Sequence, residues 1–586
     1  MDETLLTIAE ATARLTAPGQ MFETERTVVR GVEMTVWKHA PATLRQILDM
    51  SLTHADHDFL VYEGQRLSVD DHYRHASTLA HRLIAAGITN GRRVAIASRN
   101  LPQWVVAFWA GVISGAVVVP LNAWWTSEEL LYGLSDSGTS LLFVDEERLE
   151  RVRPLLDSLP DLTTVVVISE DPTRPAALGD THERIKIVAF DNFLGTVGAD
   201  AQPPLVSIDT DDPATMFYTS GTTGHPKGAV GTHRNAIANL MNLFFVARRS
   251  ALRFASADSD STSAPNATLL NVPLFHATGC LATMVVNTAS GGKLVMVHHF
   301  DAGRALALIE AEKITGVGGV PSIVMQILDH PDFKKFDTSS IRSVSYGGAP
   351  APPDLVRRIR AAFPKGQPGN GYGLTETSAA VCMNLGPDYV ERPESCGPAV
   401  PVCDVAIVPE GFEGNEPTPD LARGADVVGE LWIKGPNVVT GYWNKPEASA
   451  TAFTRGWLHS GDIARIDDDG FIYIVDRAKD MIIRGGENVY SVIVEAAIFE
   501  HSDVADCAVV GLPHPTLGEQ VAAVVVLRPG CVVEAEDITR HVARHLAHYE
   551  VPTKVFFRAE PLPRNPQGKV LKRQLRDELL EADSER

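Results

Sequence analysis

The chain has 586 residues, of which 45% are hydrophobic and 21% are charged, and its formal net charge at pH 7 is −21. This length is too great for a single hydrophobic core, so we expect at least two domains. The composition is that of an ordinary globular protein, and the acidic balance excludes a nucleic-acid-binding surface, which would need clusters of Lys and Arg.

The N-terminal segment "MDETLLTIAEATARL" has acidic residues where a secretory signal would have a basic start and an apolar run. The most apolar stretch, Trp104 to Leu121, is interrupted by Gly, Ser and Pro. It predicts a buried helix, a Ser-Gly turn and a buried strand rather than a membrane span. The six cysteines are scattered without a CxxC pair, which favours reduced thiols. We therefore expect a cytoplasmic protein without stable membrane insertion; peripheral membrane association and a homodimer both stay open.

Strand-like and helix-like patterns alternate from residue 56 to about 400, which predicts α/β layers with largely parallel sheets. The polar run 247–266 within this region is predicted to be an exposed loop. After Gly429, short strands with Gly and Asp turns predict a small antiparallel layer.

From residue 492 the pattern is helix, strand, strand and helix, the last helix covering "EDITRHVARHLAHY". The fold class predicted is α/β: a large N-terminal domain of layered α/β sheets with a small β-rich subdomain, and a small, mobile α+β C-terminal domain. The charged run "VDRAKD", 475–480, is interpreted as a linker, which gives domains 1–476 and 477–586.

The segment "YTSGTTGHPKGAV", 218–230, is rich in Gly, Ser and Thr and contains one lysine. Glycines let backbone N–H groups turn toward an anion, and the hydroxyls of Thr222 and Thr223 can donate hydrogen bonds to phosphate oxygens. Lys227 adds a positive charge. An ordinary surface turn is the alternative, but the unbroken run ending in "PKG" favours a phosphate-binding loop.

Two glycine-containing segments follow in the chain. In "NGYGLTETS", 370–378, glycines flank Tyr372, so a flat ring can lie against the backbone there, and Glu376 can hold Mg²⁺ against phosphates. The segment "SYGGAP", 345–350, offers a bare Gly-Gly backbone after a strand. Each signal alone is weak, because an ordinary strand and turn would look the same.

The region "GWLHSGDIARIDDDGFIYIVDR" contains Asp462, whose carboxylate can accept from two ribose hydroxyls, and Arg477, which can reach the same sugar. In isolation, an Asp-Gly hairpin with solvated charges would be the better interpretation. Near the C-terminus, "LPRNPQGKVLKRQLR" places Lys569 after a Pro-Gln-Gly turn, with the start of a basic helix as the alternative.

The segment "HVARHLAH" places three histidines, His541, His545 and His548, near one face of the predicted helix. The segment itself contains no acidic residue that could complete a ligand set. A solvated helix face is therefore favoured over a metal site.

Together, "YTSGTTGHPKG", "YGLTET", "GWLHSGD", "VDRAKDMIIRGGENV" and "NPQGKV" resemble the joint signatures of the acyl-adenylate-forming superfamily, in this order and spacing. The resemblance extends from about residue 40 to residue 580. The segments "FLVYEGQRLS" and "VVVPLNAWWTSEELLYGLSDSG" look most like bacterial fatty-acyl-CoA synthetases.

The resemblance implies roles for individual residues. The β- and γ-phosphates of ATP would be held by Thr219, Ser220, Gly221, Thr222, Thr223, Gly224 and Lys227. Adenine would be enclosed by Gly348, Ala349, Pro350, Gly371 and Tyr372, with Gly373 next to them. Asp462 and Arg477 would hold the ribose. The catalytic groups would be Lys569 between carboxylate and α-phosphate, Thr375 at the α-phosphate and His276 at the carboxylate, and Glu376 would hold Mg²⁺.

The same resemblance implies a second set of residues. The acyl pocket would be lined by His276, Gly347, Asn370 and Gly371. The small domain would rotate about Lys479 and then present the residues that face CoA, namely Arg484, Gly485, Gly486 and Asn488.

The function implied is that of an Mg²⁺-dependent acid:CoA ligase with ATP and CoA as co-substrates. It would form acyl-AMP and pyrophosphate, then acyl-CoA and AMP, on a medium- or long-chain fatty acid. Three alternatives stay open: an aryl or steroid-derived acid, an acyl-AMP ligase that loads a carrier protein, and a non-catalytic nucleotide-binding module.

Overall fold

The structure is a computed structural model, and it describes residues 5–171, 174–219, 225–254, 266–347, 354–409, 411–412, 414, 416–418, 424, 427–485, 487–565 and 568–584. Some of the predicted site residues lie outside this part of the chain: Ser220, Gly221, Thr222, Thr223, Gly224, Gly348, Ala349, Pro350 and Gly486.

Helices alternate with strands through most of the described chain. They are α1 Ile8–Leu15, α2 Leu44–Ser51, α3 Val69–Ala85, α4 Pro102–Ile113, α5 Ser127–Ser137, α6 Glu146–Val152, α7 Phe190–Leu194, α8 His233–Phe254, α9 Val285–Ser290, α10 Ala302–Glu312, α11 Pro321–Leu328, α12 Leu355–Ala362, α13 Gly386–Glu391, α14 Pro446–Ala452, α15 Ser491–Phe499, α16 Ala535–Val542 and α17 Lys572–Ser584.

An N-terminal hairpin and a seven-stranded sheet use the first group of strands. The hairpin pairs β1 Thr24–Val29 with β2 Val32–Trp37. The sheet has the order β11-β10-β6-β5-β7-β8-β9 and is parallel except for the β10–β11 pair. Its strands are β5 Arg93–Ala97, β6 Val117–Pro120, β7 Thr139–Asp145, β8 Thr164–Ile168, β9 Lys186–Ala189, β10 Pro213–Thr219 and β11 Lys227–Thr232.

A second, eight-stranded sheet has the order β17-β16-β15-β14-β12-β13-β3-β4 and is antiparallel only at its two edges. Its strands are β3 Asp58–Tyr62, β4 Gln65–Ser68, β12 Ala267–Leu270, β13 Lys293–Met296, β14 Gly316–Gly319, β15 Ser343–Gly347, β16 Gln367–Tyr372 and β17 Cys382–Leu385.

Two smaller sheets complete the fold. A six-stranded antiparallel sheet contains β18 Gly397–Pro398, β19 Asp404–Val408, β20 Gly429–Lys434, β21 Phe453–Thr454, β22 Trp457–Ile466 and β23 Phe471–Arg477. The C-terminal sheet contains β24 Ile482–Arg484, β25 Glu487–Val489, β26 Val504–His514, β27 Gly518–Leu527 and β28 Lys554–Phe557. This architecture confirms the predicted α/β class with a β-rich subdomain and a small C-terminal α+β unit.

The apolar stretch Trp104 to Leu121 forms the buried helix α4, a turn and the buried strand β6, as predicted. A Cβ atom on Gly111 of α4 would lie 2.5 Å from Cγ2 of Val118 in β6, so helix and strand approach closely. None of the described helices is long and apolar enough to cross a membrane. All six cysteines are free and five of them are buried, which agrees with the predicted reduced thiols.

The loop predicted over 247–266 is wrong at its start, because α8 continues to Phe254. Two arginines in this polar stretch pack against the protein instead of facing solvent. Arg249 is 5% exposed, and the Arg253 guanidinium donates to the Leu6 carbonyl and pairs with Asp388. These contacts hold the last two turns of the helix against the rest of the domain.

The helix predicted over "EDITRHVARHLAHY" ends early, at Val542. Arg544 and His545 donate their backbone N–H groups three residues back, to His541 and Val542, which tightens the chain into a turn. Leu546, Tyr549 and Val551 then pack against the core of the C-terminal unit. This packing outweighs the local helix propensity.

Candidate active site

One large cleft, about 1770 Å³ in volume, lies between the eight-stranded sheet, the six-stranded sheet and the C-terminal unit. Most of the predicted site residues within the described chain line it. They are Thr219, Lys227, His276, Gly347, Gly371, Tyr372, Gly373, Thr375, Glu376, Asp462, Arg477, Lys479 and Lys569.

The parallel strands of the eight-stranded sheet position the floor of the cleft. Strands β14, β15 and β16 end side by side, so the residues at their carboxyl ends meet at one edge of the sheet. Gly347 pairs with Gly371 in this register, and a Cβ atom on Gly347 would lie 2.6 Å from the Gly371 carbonyl oxygen. The two glycines therefore allow the backbones to pack closely and keep the floor flat.

Gly373 follows β16 at a position where neighbouring backbone atoms leave no space for a side chain. A Cβ atom there would lie 1.4 Å from the backbone carbonyl oxygen of Ala379. We expect Gly373→Ala to lower the free energy of unfolding by about 3 kcal/mol, since the obstacle is backbone and cannot rotate away. Thermal unfolding checks this, with Gly316→Ala as the matched strand control, because its Cβ would meet only side-chain atoms at 3.6 Å or beyond. Equal melting temperatures for the two variants would contradict the prediction.

Asp462 links the floor of the cleft to the six-stranded sheet. It lies opposite Arg477 in the β22–β23 ladder, and the Arg477 Nε atom is 3.3 Å from Asp462 Oδ1. The Tyr372 hydroxyl donates to Asp462 Oδ2 at 2.7 Å. Burial and the adjacent Asp462 carboxylate raise the pKa of Tyr372 well above its usual value, so the phenol stays a hydrogen-bond donor. The predicted ribose pair and the predicted adenine residue thus form one network.

The two ends of the predicted phosphate loop are held together by β-sheet pairing. Thr219, the last residue of β10, lies opposite Lys227, the first residue of β11. The Lys227 ammonium lies over the ring of Tyr442, 5.0 Å from its centroid. Sequence reasoning missed Tyr442, because nothing near "GYWNK" marks a site and its role depends on the fold.

A second residue missed by the sequence analysis is Tyr132 of α5, which supports the exit of the loop. Its ring stacks on His225 with centroids 4.4 Å apart, and its hydroxyl donates to the Pro226 carbonyl at 3.0 Å. These contacts orient the chain immediately before Lys227.

Glu376 lies in a short 3₁₀ turn, Thr375–Thr377, that follows β16. The Tyr442 hydroxyl donates to Glu376 Oε1 at 2.7 Å. Burial raises the pKa of the Glu376 carboxyl, and the Tyr442 hydrogen bond opposes that effect. Tyr442 therefore contacts both the predicted Mg²⁺ residue and the predicted phosphate-binding lysine.

His276 enters the cleft from the segment that follows β12. The backbone N–H of Thr278 donates to His276 Nδ1 at 3.2 Å. Burial lowers the pKa of His276 to about 4, so the ring is neutral at physiological pH. With Nδ1 acting as an acceptor, the ring proton lies on Nε2. His276 can therefore donate one hydrogen bond to a carboxylate.

If His276 binds the acid as the resemblance implies, His276→Ala should raise the KM for that acid about tenfold, because a hydrogen bond to a charged carboxylate is lost. His276→Asn, which keeps an N–H donor, is the control and should raise the KM by a smaller factor. Titration of His276 should leave the wild-type KM unchanged between about pH 5.5 and pH 8, since a pKa lowered to about 4 keeps the ring neutral over that range. A KM that follows an ordinary histidine titration would contradict the neutral assignment.

Lys569 reaches the cleft from the C-terminal unit. Its backbone N–H donates to Asn565 Oδ1 at 2.9 Å. The preceding Gly568 has a φ of +80° and packs on Val320, whose Cγ2 atom would be 2.6 Å from an added Cβ. Burial and the nearby Arg477 guanidinium lower the pKa of Lys569 to about 7, while Asp462 and Asp480 oppose this. The C-terminal unit is therefore docked with Lys569 beside the predicted ribose pair.

The charged run 475–480, interpreted as a linker, contains a buried carboxylate, and the domain boundary placed there stays a prediction. Asp476 is 1% exposed and accepts from both the backbone N–H and the hydroxyl of Ser491. The Lys572 ammonium donates to Ser491 Oγ at 2.6 Å and lies 2.7 Å from Glu495 Oε1. A buried polar network thus fixes the end of β23 to α15 and α17. No sequence signal pairs these four residues.

Two family models match the chain. The model described as AMP-binding enzyme matches residues 12–443, and the model of the AMP-binding enzyme C-terminal domain matches residues 493–569. The chain belongs to the AMP-binding enzyme family. The family and the fold predicted from the sequence motifs are confirmed.

Several curated relatives of this AMP-binding enzyme are acid:CoA ligases. A feruloyl-CoA synthase of an Amycolatopsis species is 35% identical over 521 residues, covering 88% of this chain and 94% of the relative. A long-chain-fatty-acid–CoA ligase of Bacillus subtilis is 32% identical over 554 residues, covering 92% and 95%. The solved structure of ATP-bound MatB from Rhodopseudomonas palustris is 28% identical, with a TM-score of 0.77 and coverage of 92% and 98%. The predicted class of acid:CoA ligase is therefore confirmed, whereas these relatives differ in their acids.

Four predicted residues of this AMP-binding enzyme lie outside the cleft. The Asn370 amide points to Cys396 Sγ at 3.9 Å, and Asn370 does not line the cleft. Arg484, Gly485 and Asn488 lie in the β24–β25 hairpin, where Arg484 donates to the Tyr549 carbonyl. Among the described residues, the structure thus brings the predicted adenylation residues together and keeps the predicted CoA-facing residues apart from them.

Proposed function

We propose that this enzyme joins a medium- or long-chain fatty acid to CoA through an acyl-adenylate. The single observation on which the chemistry rests is that Lys569, the Asp462–Arg477 pair and neutral His276 border the same cleft. The apolar lining of that cleft supports a hydrophobic acid, since Leu243, Ile323 and Met383 face it. The long-chain ligase of Bacillus subtilis supports the same substrate class.

In the proposed first step, a carboxylate oxygen of the acid attacks the α-phosphorus of ATP, and the bond to the β-phosphate breaks to release pyrophosphate. Nε2–H of His276 orients the carboxylate. The ammonium of Lys569 lies between carboxylate and α-phosphate and stabilises the charge that gathers there. Asp462 and Arg477 hold the ribose, Thr375 contacts the α-phosphate, and Lys227 binds the outer phosphates.

The donor set at Glu376 fits Mg²⁺, because Tyr442 occupies only one carboxylate oxygen and the residue borders the cleft. When bound, the ion would offset negative charge on the phosphate oxygens. Glu376 is the protein residue that would hold it.

In the proposed second step, the thiol sulfur of CoA attacks the acyl carbon and AMP leaves. We propose that residues 477–586 turn about Lys479, so that Lys569 withdraws and the β24–β25 hairpin with Arg484, Gly485 and Asn488 reaches the cleft. Such a two-position mechanism accounts for the separation of the two residue sets. A cytoplasmic location is part of this proposal, because ATP and CoA must both be supplied. A homodimer stays a prediction, which sedimentation analysis can test.

Trapping of acyl-AMP with hydroxylamine, run over a panel of fatty, aryl and steroid-derived acids, tests the proposed substrate. Fatty acids should give the highest kcat/KM, and acyl-CoA should appear only when CoA is added. Preference for ferulate-like acids would overturn the fatty-acid assignment in favour of an aryl ligase. Hydroxamate formation without any use of free CoA would indicate a carrier-protein ligase, and ATP binding without pyrophosphate release would indicate a non-catalytic module.

A further inference from the structure

A carboxylate and two imidazoles meet on the C-terminal unit, far from one another in sequence. Glu500 caps the end of α15, His541 lies in the last turn of α16, and His545 follows in the tight turn beyond it. One side-chain ligand atom from each residue lies within 4.8 Å of the other two. The acidic partner that the segment "HVARHLAH" lacks is therefore supplied by the fold, from the end of α15.

The spacing is close to that of a metal site. His545 Nδ1 lies 3.7 Å from Glu500 Oε2. Ligand atoms about 2.1 Å from a tetrahedral zinc ion are about 3.4 Å apart. The widest pair of ligand atoms, at most 4.8 Å apart, thus needs a contraction of about 1.4 Å or less to reach that spacing. Glu500 and His545 are exposed, so their side chains are free to make this adjustment by rotation.

One ring nitrogen of His541 already has a backbone partner. Its Nε2 atom lies 3.1 Å from the Ala497 carbonyl, which can only accept, so Nε2 bears the proton and Nδ1 presents its lone pair. Metal-bound imidazoles commonly donate their second nitrogen to a backbone carbonyl in this way.

We propose that Glu500, His541 and His545 bind one divalent transition-metal ion of the zinc type, with water completing its coordination. Two imidazoles and one carboxylate suit such borderline ions, whereas Mg²⁺ and Ca²⁺ prefer sets of oxygen ligands. None of the three residues lines the catalytic cleft. The ion would join the end of α15 to the end of α16 and stabilise the unit that bears Lys569.

The test uses the full chain without an affinity tag, stripped with a chelator and dialysed against excess Mg²⁺ without nucleotide. Titration calorimetry with ZnCl₂ should give one bound ion per chain. His545→Ala and Glu500→Gln should each weaken binding more than about 100-fold, since even the loss of an outer partner costs about 10- to 100-fold. His548→Ala is the matched control, because it removes an exposed histidine three residues further on, and it should bind zinc as the wild type does.

Two further measurements distinguish a defined metal site from nonspecific binding of zinc to the protein surface. Co²⁺ in place of zinc should give the visible bands of a tetrahedral or five-coordinate ion in the wild type and none in the His541→Ala/His545→Ala double variant. Saturating zinc should raise the melting temperature of the wild type and not that of Glu500→Gln. Absence of stoichiometric binding, or equal binding by His545→Ala, would leave only a surface His–Glu ion pair and overturn the proposal.

Discussion

Lys569→Ala should abolish acyl-AMP formation while leaving the conversion of supplied acyl-AMP and CoA to acyl-CoA. The loss in the first step should be about 10³-fold, the upper end for removal of one preorganised charge-stabilising group. Burial beside Arg477 lowers the pKa of Lys569 to about 7, so an anionic ligand in the cleft is needed to keep this ammonium charged above that pH. Acid-dependent exchange of labelled pyrophosphate into ATP measures the first step, and a thiol-consumption assay measures the second.

Lys569→Arg tests whether charge alone is enough. The guanidinium keeps the charge but is planar and larger than a point-like ammonium, so we expect it to restore only part of the exchange rate. Lys365→Ala, which replaces an exposed lysine, is the surface control and should leave the rates of both half-reactions unchanged. Equal losses in both half-reactions would contradict the assignment of Lys569 to adenylation and with it the two-position mechanism.

Glu376→Gln should lower kcat for adenylation by about 10²-fold or more and raise the Mg²⁺ concentration needed for half-maximal activity. The amide is isosteric with the carboxyl but lacks the negative charge that a hard divalent cation requires. Calorimetry of ATP binding with and without Mg²⁺ gives a readout independent of turnover: the Mg²⁺-dependent part of the affinity should shrink in the variant.

Tyr442→Phe is the matched control for this prediction. It removes the hydroxyl that donates to Glu376 but keeps the ring under the Lys227 ammonium. Loss of one such hydrogen bond costs about 1.5–3 kcal/mol when the acceptor is charged. Because the carboxylate of Glu376 is kept, we expect a loss of activity no larger than that of Glu376→Gln and an Mg²⁺ requirement closer to that of the wild type. A Glu376→Gln enzyme with normal Mg²⁺ dependence would contradict the assigned role.

Much of the cleft was predicted from sequence because its residues lie in segments whose composition is unusual. Gly347 and Gly373 occupy positions where an added Cβ would collide with a backbone carbonyl oxygen, and such positions leave a visible pattern of glycines. Lys569 follows a Pro-Gln-Gly turn, and Asp462 and Arg477 lie in a hairpin with its own turn signal. Composition and the periodicity of strands and helices predicted the fold class, whereas the resemblance of these motifs to the acyl-adenylate-forming superfamily predicted the ligase family.

The partners of those residues were decided by tertiary structure. Tyr442 joins Lys227 to Glu376, Tyr132 supports the phosphate loop, and Asp476 is buried against Ser491, although it lies in a run of charges typical of a linker. The end of α16 and the approach of Glu500 to His541 likewise depend on how the C-terminal core packs.

The sequence by itself therefore determined which chemical groups the enzyme has, because glycine positions, turns and periodicity follow from short-range sterics and hydrogen bonding. The tertiary structure alone decided which of those groups meet, which polar residues are buried and which pKa values shift. Such contacts join residues as far apart as Lys227 and Tyr442, and their free energy arises from desolvation and packing that no local segment encodes.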